Sequence, residues 1–582
     1  MLLDEQALQQ VTDPGARAVI GQLVAALGER DARIVGLQER IDQLEAENAQ
    51  LRGADLRNAL ESSLGENARL REEQQRLRDA LAQAKGEQGT PRVLARRQAD
   101  HSSEQERGRP PRAWRKRSKV AELPIDRTLE CRLAPEELPA DARLERYLER
   151  TVQDLVLRRD TVLIRRAQYT AASTGQTYTA PIPAGYETAF GPELRTAVLY
   201  LHYGTNTSQA KIRALLSSMG ISIASGTSAG MLLAPPALAE EDRAICRAGL
   251  ASSPYQHLDA TPTRLDGEEW QCHVLSAPLY VRFHSVPTKD RLAVLDVLRL
   301  GAPRSFAWNA HAQAFLAPTA PTAATLAALA HLPWGVEVDR PTVYGWLDRE
   351  LGHLGTEKRR TLVDALAIGA YRQQTSVPVI ETLLVDAAPQ FVGLTADLAL
   401  CWVHEARHYQ KLAPHLPPHQ ALLDAVLTAL WGYYRDLQAY RQAPTPAEAA
   451  RLRLAFDELF TCRTGYRDLD DRLRKTHAKR HPLLRVLDKP YLPLTNNPAE
   501  LAARQRVRKR DVSFGARSPA GLRSWDVLQT IIATAKQLGV NVWHYLHDRV
   551  SGTYALPALA DLIRQRTVQD AHLPHPAPAL AA

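Results

Sequence analysis

Three acidic residues stand at the ends of expected elements and far apart in the chain: Asp259 in HLDATPTRLDG, Asp386 in ETLLVDAAPQF and Glu500 in LTNNPAELAARQRVRKR. Each Asp follows a short apolar run that reads as a buried strand, and the Glu lies one turn into an arginine-rich helix. Carboxylates delivered from two strand ends and one helix can meet around divalent metal ions. Two such ions, about 3.5–4 Å apart, activate the attacking oxygen and stabilise the leaving oxygen in phosphodiester chemistry. Hard Mg²⁺ prefers oxygen ligands and keeps several waters, so three carboxylates suffice, and Mn²⁺ can substitute.

Each acid also has a simpler explanation. Asp259 and Asp386 could merely end strands, because Asp initiates turns by bonding nearby backbone N–H groups. With Asn497 as N-cap and Pro498 at the first helical position, Glu500 fits a capping-box-like arrangement. Position carries the argument beyond that. Arg504 and Arg508 follow Glu500 at intervals of four on one helix face. With Arg506, Lys509 and Arg510 they are expected to hold DNA phosphates beside the metals. A rival motif is HEARH, His404 to His408, which matches HExxH and would make a zinc metallopeptidase with Glu405 as base. No Gly-x-x-His continuation follows, Pro414 limits the helix, and no third ligand is evident.

The elements that must position these residues follow from the texture of the chain. HLDATPTRLDG reads as a strand into a Gly turn, WQCHVLSAPLYVRFH as a longer returning strand, and RSFAWNA as a possible third. VIETLLVDAA is almost wholly apolar, as expected for a strand covered on both faces. LALCWVHEARHY gives a further strand or a strand-helix junction. Residues from about 410 to 490 carry helical periodicity and read as an insertion, after which helices return from Asn497 onward. The expectation is a multidomain α/β protein: a mixed sheet with flanking helices over 251–550, and a tail over 551–582.

Upstream, residues 1–90 read as a helical arm. Ile34, Leu37, Ile41, Leu44, Asn48 and Leu51, then Leu60, Asn67, Leu70, Gln74, Leu77 and Leu81, recur at spacings of three and four. That stripe suits a self-associating coiled coil, with Asn48 and Asn67 fixing register, or a helix folded back onto the body. Residues 91–120 form a basic linker with ten Lys or Arg between Arg92 and Lys119. Arg115, Lys116 and Arg117 lie beside Trp114 and are expected to neutralise phosphates, or else belong to a solvated spacer. Residues 121–250 read as a small β-rich module followed by three short helices with helix-turn-helix spacing, or an ordinary helical hairpin.

A length of 582 residues suggests roughly three to five domains. The net charge of +8 suits a polyanionic partner. No apolar stretch of about 18 residues without charges occurs, and the acidic N-terminus lacks the basic-then-apolar order of a secretion signal. The five cysteines show no CxxC pair, so neither a disulfide framework nor a zinc ribbon is expected. A reducing cytoplasm fits these features.

The segments HLDATPTRLDG, VDAAPQF with CWVHEARH, and NNPAELAARQRVRKRDVSFGARS resemble the three acidic blocks of DDE transposases of the insertion-sequence-sixty-six family. SWDVLQTIIATAKQLGVNVWHYL is similar to that family's closing helical region. The resemblance implies an RNase H-like catalytic domain that cuts and joins double-stranded DNA, at the element's terminal repeats and at a target. It implies Mg²⁺ dependence, a homo-oligomer, and metal-binding roles for Asp259, Asp386 and Glu500. Thr261, Asn497 and Arg504 match accompanying positions, as do Cys401, Trp402 and His404. Two departures stand out. The Cys pairs frequent after the basic linker are reduced to Cys131, so no zinc site is expected there. Ala260 replaces an acidic residue common beside the first Asp. The alternative within this resemblance is a transposase-derived DNA-binding protein without catalysis.

Overall fold

A computed structural model describes residues 13–51, 54–84, 124–134, 137 and 143–571. Arg115, Lys116 and Arg117, with the rest of the basic linker, lie outside the described residues. Two units emerge: one comprises residues 1–93, 181–212 and 224–582, the other 94–180 and 213–223. In the second, regular structure among the described residues is sparse. Its strands are the short antiparallel pair β1 (Gln168–Thr170) and β2 (Thr177–Thr179). The expected β-rich module therefore shrinks to one hairpin, and LVLRRDTVLIRR, despite its β-branched content, forms no ladder.

The first unit carries a five-stranded mixed sheet of β3 (Tyr255–Leu265), β4 (Glu268–Ala277), β5 (Tyr280–Val286), β6 (Thr382–Val385) and β7 (Asp397–Leu400). The order is β5-β4-β3-β6-β7, with β3 to β5 antiparallel and β6 and β7 parallel to β3. This is a mixed sheet compatible with an RNase H-like core. Asp266 and Gly267 both have positive φ and close the β3–β4 hairpin, a turn that its Asp-Gly pair favours. WQCHVLSAPLYVRFH is two strands rather than one. Pro278 cannot donate to a ladder, and the chain turns there, pairing Ala277 with Tyr280. RSFAWNA joins no sheet; Phe306 and Trp308 make isolated bridges to Val338 and Trp334.

Edge strand β5 is sealed by the helix Pro519–Gln537. Thr530 and Thr534 bond the backbone N–H groups of Phe283 and Val281, at 3.0 and 3.2 Å. Asp526 accepts from the N–H of Ser285 at 2.8 Å. Residues 526, 530 and 534 share one helix face, so three polar side chains at intervals of four satisfy the edge that would otherwise template aggregation. The helix Pro236–Ala251, placed by sequence before the core, packs on this same assembly. So does Leu559–Ala571, within the region read as a tail: Leu559 and Ile563 are fully buried.

The arm is a helical hairpin. Helices Pro14–Leu51 and Ala54–Ala84 run antiparallel within one chain, with Arg33 paired to Glu66 and Asn67 donating to the Ile34 carbonyl. Ile20, Ile41, Leu60 and Leu81 are buried between them. The hairpin is seated on the body: buried Glu61 accepts from the Leu416 N–H and from His419 Nδ1, both at 3.0 Å. The folded-back arrangement thus uses the apolar stripe within the chain, and the side chain of Asn48 lies outside the described residues.

Candidate active site

Register brings the two aspartates together. Parallel pairing runs Tyr255 to Thr382, Gln256 to Leu383 and His257 to Leu384. Continued by two residues, it sets Asp259 beside Asp386 on the same face, at the spacing of neighbouring strands, about 4.8 Å. Asp386 follows the last residue of β6 and accepts from the Ala388 N–H at 3.1 Å, a turn-initiating bond. Asp259, by contrast, sits in the middle of an eleven-residue strand rather than at its end. Beyond it, β3 continues only against β4.

Glu500 arrives on the helix Asn497–Ser513, which packs across β3 and β4 through Ala502 and Ala503 against Cys272, Val274 and Phe283. The N-cap is Asn496, one residue earlier than expected, and its side chain makes no capping bond. It serves as a staple instead. Asn496 Nδ2 donates to the Leu258 carbonyl at 2.8 Å, its Oδ1 faces His257 Nδ1 at 3.1 Å, and its N–H meets Cys401 Sγ at 3.2 Å. One buried residue therefore fixes the start of the Glu500 helix to β3, the strand that carries Asp259, and to Cys401 just after β7.

Asp259 senses the other two carboxylates. Asp259 is pushed up to about 7, first by burial and then by the negative charges of Glu500 and Asp386, against the Ala260 N–H and Arg407. Glu500 Oε2 lies 3.4 Å from Arg407 Nη1, and Glu500 Oε1 lies 3.5 Å from His404 Nδ1. His404 is held below its ordinary value, chiefly by burial, with Arg407 adding to the effect and Glu500 and Asp386 opposing it. Cys401, His404 and Glu500 offer ligand atoms within 4.8 Å of one another. Arg407 belongs to no motif read from the sequence; its spacing of three from His404 on one helix is the signal that marks it.

The basic helix divides. Arg504 and Arg508 are exposed, whereas Arg506 and Lys509 are wholly buried, so the expectation that these two contact DNA is corrected. Arg506 is ion-paired with Asp526 and lies against Phe283 and Trp525. Lys509 donates to the His202 carbonyl at 2.8 Å and sits over Tyr203 and Trp525. Positions 506 and 509 share the inward side of the helix with 502 and 503, a placement the run of charges concealed. Half-buried Arg510 donates to the Pro262 carbonyl at 2.6 Å.

Burial and the charge of Arg506 push Lys509 down to about 6. Its folded value lies below its unfolded one, so from the ordinary lysine range down to about pH 6 the unfolded chain binds a proton that the folded chain refuses. Stability should therefore fall as pH falls through that window, by up to about 1.4 kcal/mol per pH unit from this group. Lys509→Met should flatten that slope in urea titrations between pH 7 and 9. An unchanged slope would place the proton uptake elsewhere.

HEARH lies on the helix Trp402–Gln410, which follows β7 directly. Its Glu405 is 2% exposed and bonded to Thr476, Arg472 and, at 2.9 Å, Lys479. A carboxylate so enclosed cannot serve as a general base toward a bound water. Nor does His408 join the grouping of Cys401, His404 and Glu500.

Residues 382–524 match the family model "Transposase IS66 family". The chain is 32% identical over 320 residues to "Uncharacterized protein y4jO" of Sinorhizobium fredii (strain NBRC 101917 / NGR234), a match covering 54% of this chain and 98% of that protein. The chain belongs to the IS66 transposase family. Among its described residues, no helix is long and apolar enough to cross a membrane.

Proposed function

We propose that this chain is a DDE transposase that cleaves DNA at the ends of its mobile element and joins the freed ends to a target. What supports the reading is the parallel pairing of β3 with β6, whose register extended by two residues aligns Asp259 with Asp386, together with the charges of Glu500 and Asp386 felt at Asp259. The donor set fits divalent ions: the charges of Glu500 and Asp386 disfavour ionised Asp259, a repulsion that a cation would relieve, and carboxylate oxygens suit hard Mg²⁺ or Mn²⁺. Such ions, when bound, lower the pKa of an attacking water or 3′ hydroxyl and stabilise the leaving oxygen.

The chain's own groups do the rest. Arg407 and His404 orient Glu500, and Asp259 and Asp386 are oriented by the Ala260 and Ala388 N–H groups. Exposed Arg504 and Arg508 supply phosphate contacts on the Glu500 helix, so affinity should fall steeply with salt. Coordinated reaction at two ends calls for at least two copies of the chain. The test is a supercoiled plasmid carrying both DNA ends that border the gene. Nicks leaving 3′ hydroxyls should form with Mg²⁺ or Mn²⁺ and vanish with chelator. Equal nicking under chelation, or none with either metal, would overturn the reading.

A further inference from the structure

Phe514 is the most exposed large apolar side chain in the sheet-bearing unit among the described residues, at 80%. It ends the Glu500 helix in the left-handed region, φ 58° and ψ 4°. That conformation is sparsely populated by bulky residues and suits glycine or asparagine. A lone exposed apolar residue is ordinary on a surface, but this one also holds a disfavoured backbone conformation that costs stability.

The position is rigid. Its N–H bonds the Arg510 carbonyl at 2.7 Å. The next residue, Gly515, has φ +121°, and a Cβ there would come within 2.7 Å of the Arg264 Cβ. Ala516 then pairs with the end of β3, donating to the Arg264 carbonyl at 3.0 Å and accepting from the Asp266 N–H at 2.8 Å. Arg264 and Arg517 flank this corner, and Arg504 and Arg508 lie further back on the helix; all four are exposed, with no ion-pair partner among the described residues. On the wheel Glu500, Arg504 and Arg508 lie within about 80° of one another. At 1.5 Å per residue Phe514 stands about 21 Å along the helix from Glu500. That distance is about six base-pair steps of DNA.

We propose that Phe514 is a positioning residue that stacks on a base of the DNA held along this arginine-lined face, about six base pairs from the scissile phosphate, and so sets which phosphate reaches the carboxylates. An aromatic plane among unpaired guanidiniums matches a nucleic acid in both charge and shape, since a base step that is partly unstacked offers a π-face and the backbone offers phosphates. The proposal rests on the transposase reading for the location of the scissile phosphate; the stacking itself does not.

The test uses the full chain, Ca²⁺ in place of Mg²⁺, and a duplex copied from the DNA end bordering the gene, with 2-aminopurine moved along it. Wild type and Phe514→Trp should bind alike and change fluorescence at positions about six base pairs from the cut. Phe514→Ala should bind about fivefold to a hundredfold more weakly and lose that signal. Phe514→Gly should lose the signal while melting no lower than wild type, because glycine relieves the backbone. Wild-type affinity and signal in Phe514→Ala, or full rescue by Phe514→Leu, would overturn stacking. If wild type nicks DNA while Phe514→Ala is indistinguishable, the inference fails and the transposase reading stands. If wild type never nicks but the fluorescence change persists, the stacking stands, while the transposase reading and the placement relative to a scissile phosphate both fall. Absence of any DNA binding by wild type would remove both.

Discussion

Asp259→Asn, Asp386→Asn and Glu500→Gln should each lower Mg²⁺-dependent nicking by at least about 10³-fold, while leaving the fold intact. The size follows from the several kcal/mol of charge stabilisation that a metal centre supplies, at about 1.4 kcal/mol for each tenfold. These swaps keep shape and hydrogen-bonding atoms but remove the anion. For Asp259 the neutral side chain also removes a buried charge that its neighbours oppose, so Asp259→Asn should melt no lower than wild type. Measured together, nicking rate and melting temperature separate loss of chemistry from loss of structure. Wild-type nicking by any one variant would take that residue out of the site.

The second large effect concerns stability. Glu405→Ala should destabilise the chain by about 3–5 kcal/mol, because it leaves the cations that Glu405 holds without their partner in a buried setting. Burial alone would raise Glu405. The hydrogen bonds from Thr476 and Lys479 and the charges of Arg472 and Lys479 outweigh it and hold the carboxyl below its ordinary value. Arg472 is itself largely buried, with its side chain 11% exposed, and it lies over the Tyr409 ring. The expected result is a lower urea midpoint together with nicking by the folded fraction. A peptidase base would instead lose peptide cleavage without unfolding, and that outcome would revive the reading of HEARH as a zinc motif.

The elements were more legible in sequence than their arrangement. Asp259, Asp386 and Glu500 stand out as candidates through apolar runs and a helix start, since burial on both faces of a strand leaves a visible composition. What joined them did not. The parallel register of β3 and β6 is a long-range relation that spans more than a hundred residues of chain and leaves no local trace. Pro278 did mark the break between β4 and β5, and Leu559 and Ile563 carried a helical spacing inside the region read as tail. Arg506 and Lys509 were misjudged because charge was taken for exposure. Their partners, Asp526, Trp525 and the His202 carbonyl, come from distant segments. In the arm, the stripe of Ile41 and Leu60 fitted either self-association or a folded-back helix, and only tertiary packing could choose the antiparallel hairpin.

The most direct test of the central claim is Mn²⁺ binding by electron paramagnetic resonance, with the full-length chain bound to its own end DNA. The account predicts Mn²⁺ held by wild type and by His408→Ala, and weakened in Asp259→Asn, Asp386→Asn and Glu500→Gln. Retention of the same Mn²⁺ signal by all three carboxylate variants, or its loss with His408→Ala alone, would contradict it.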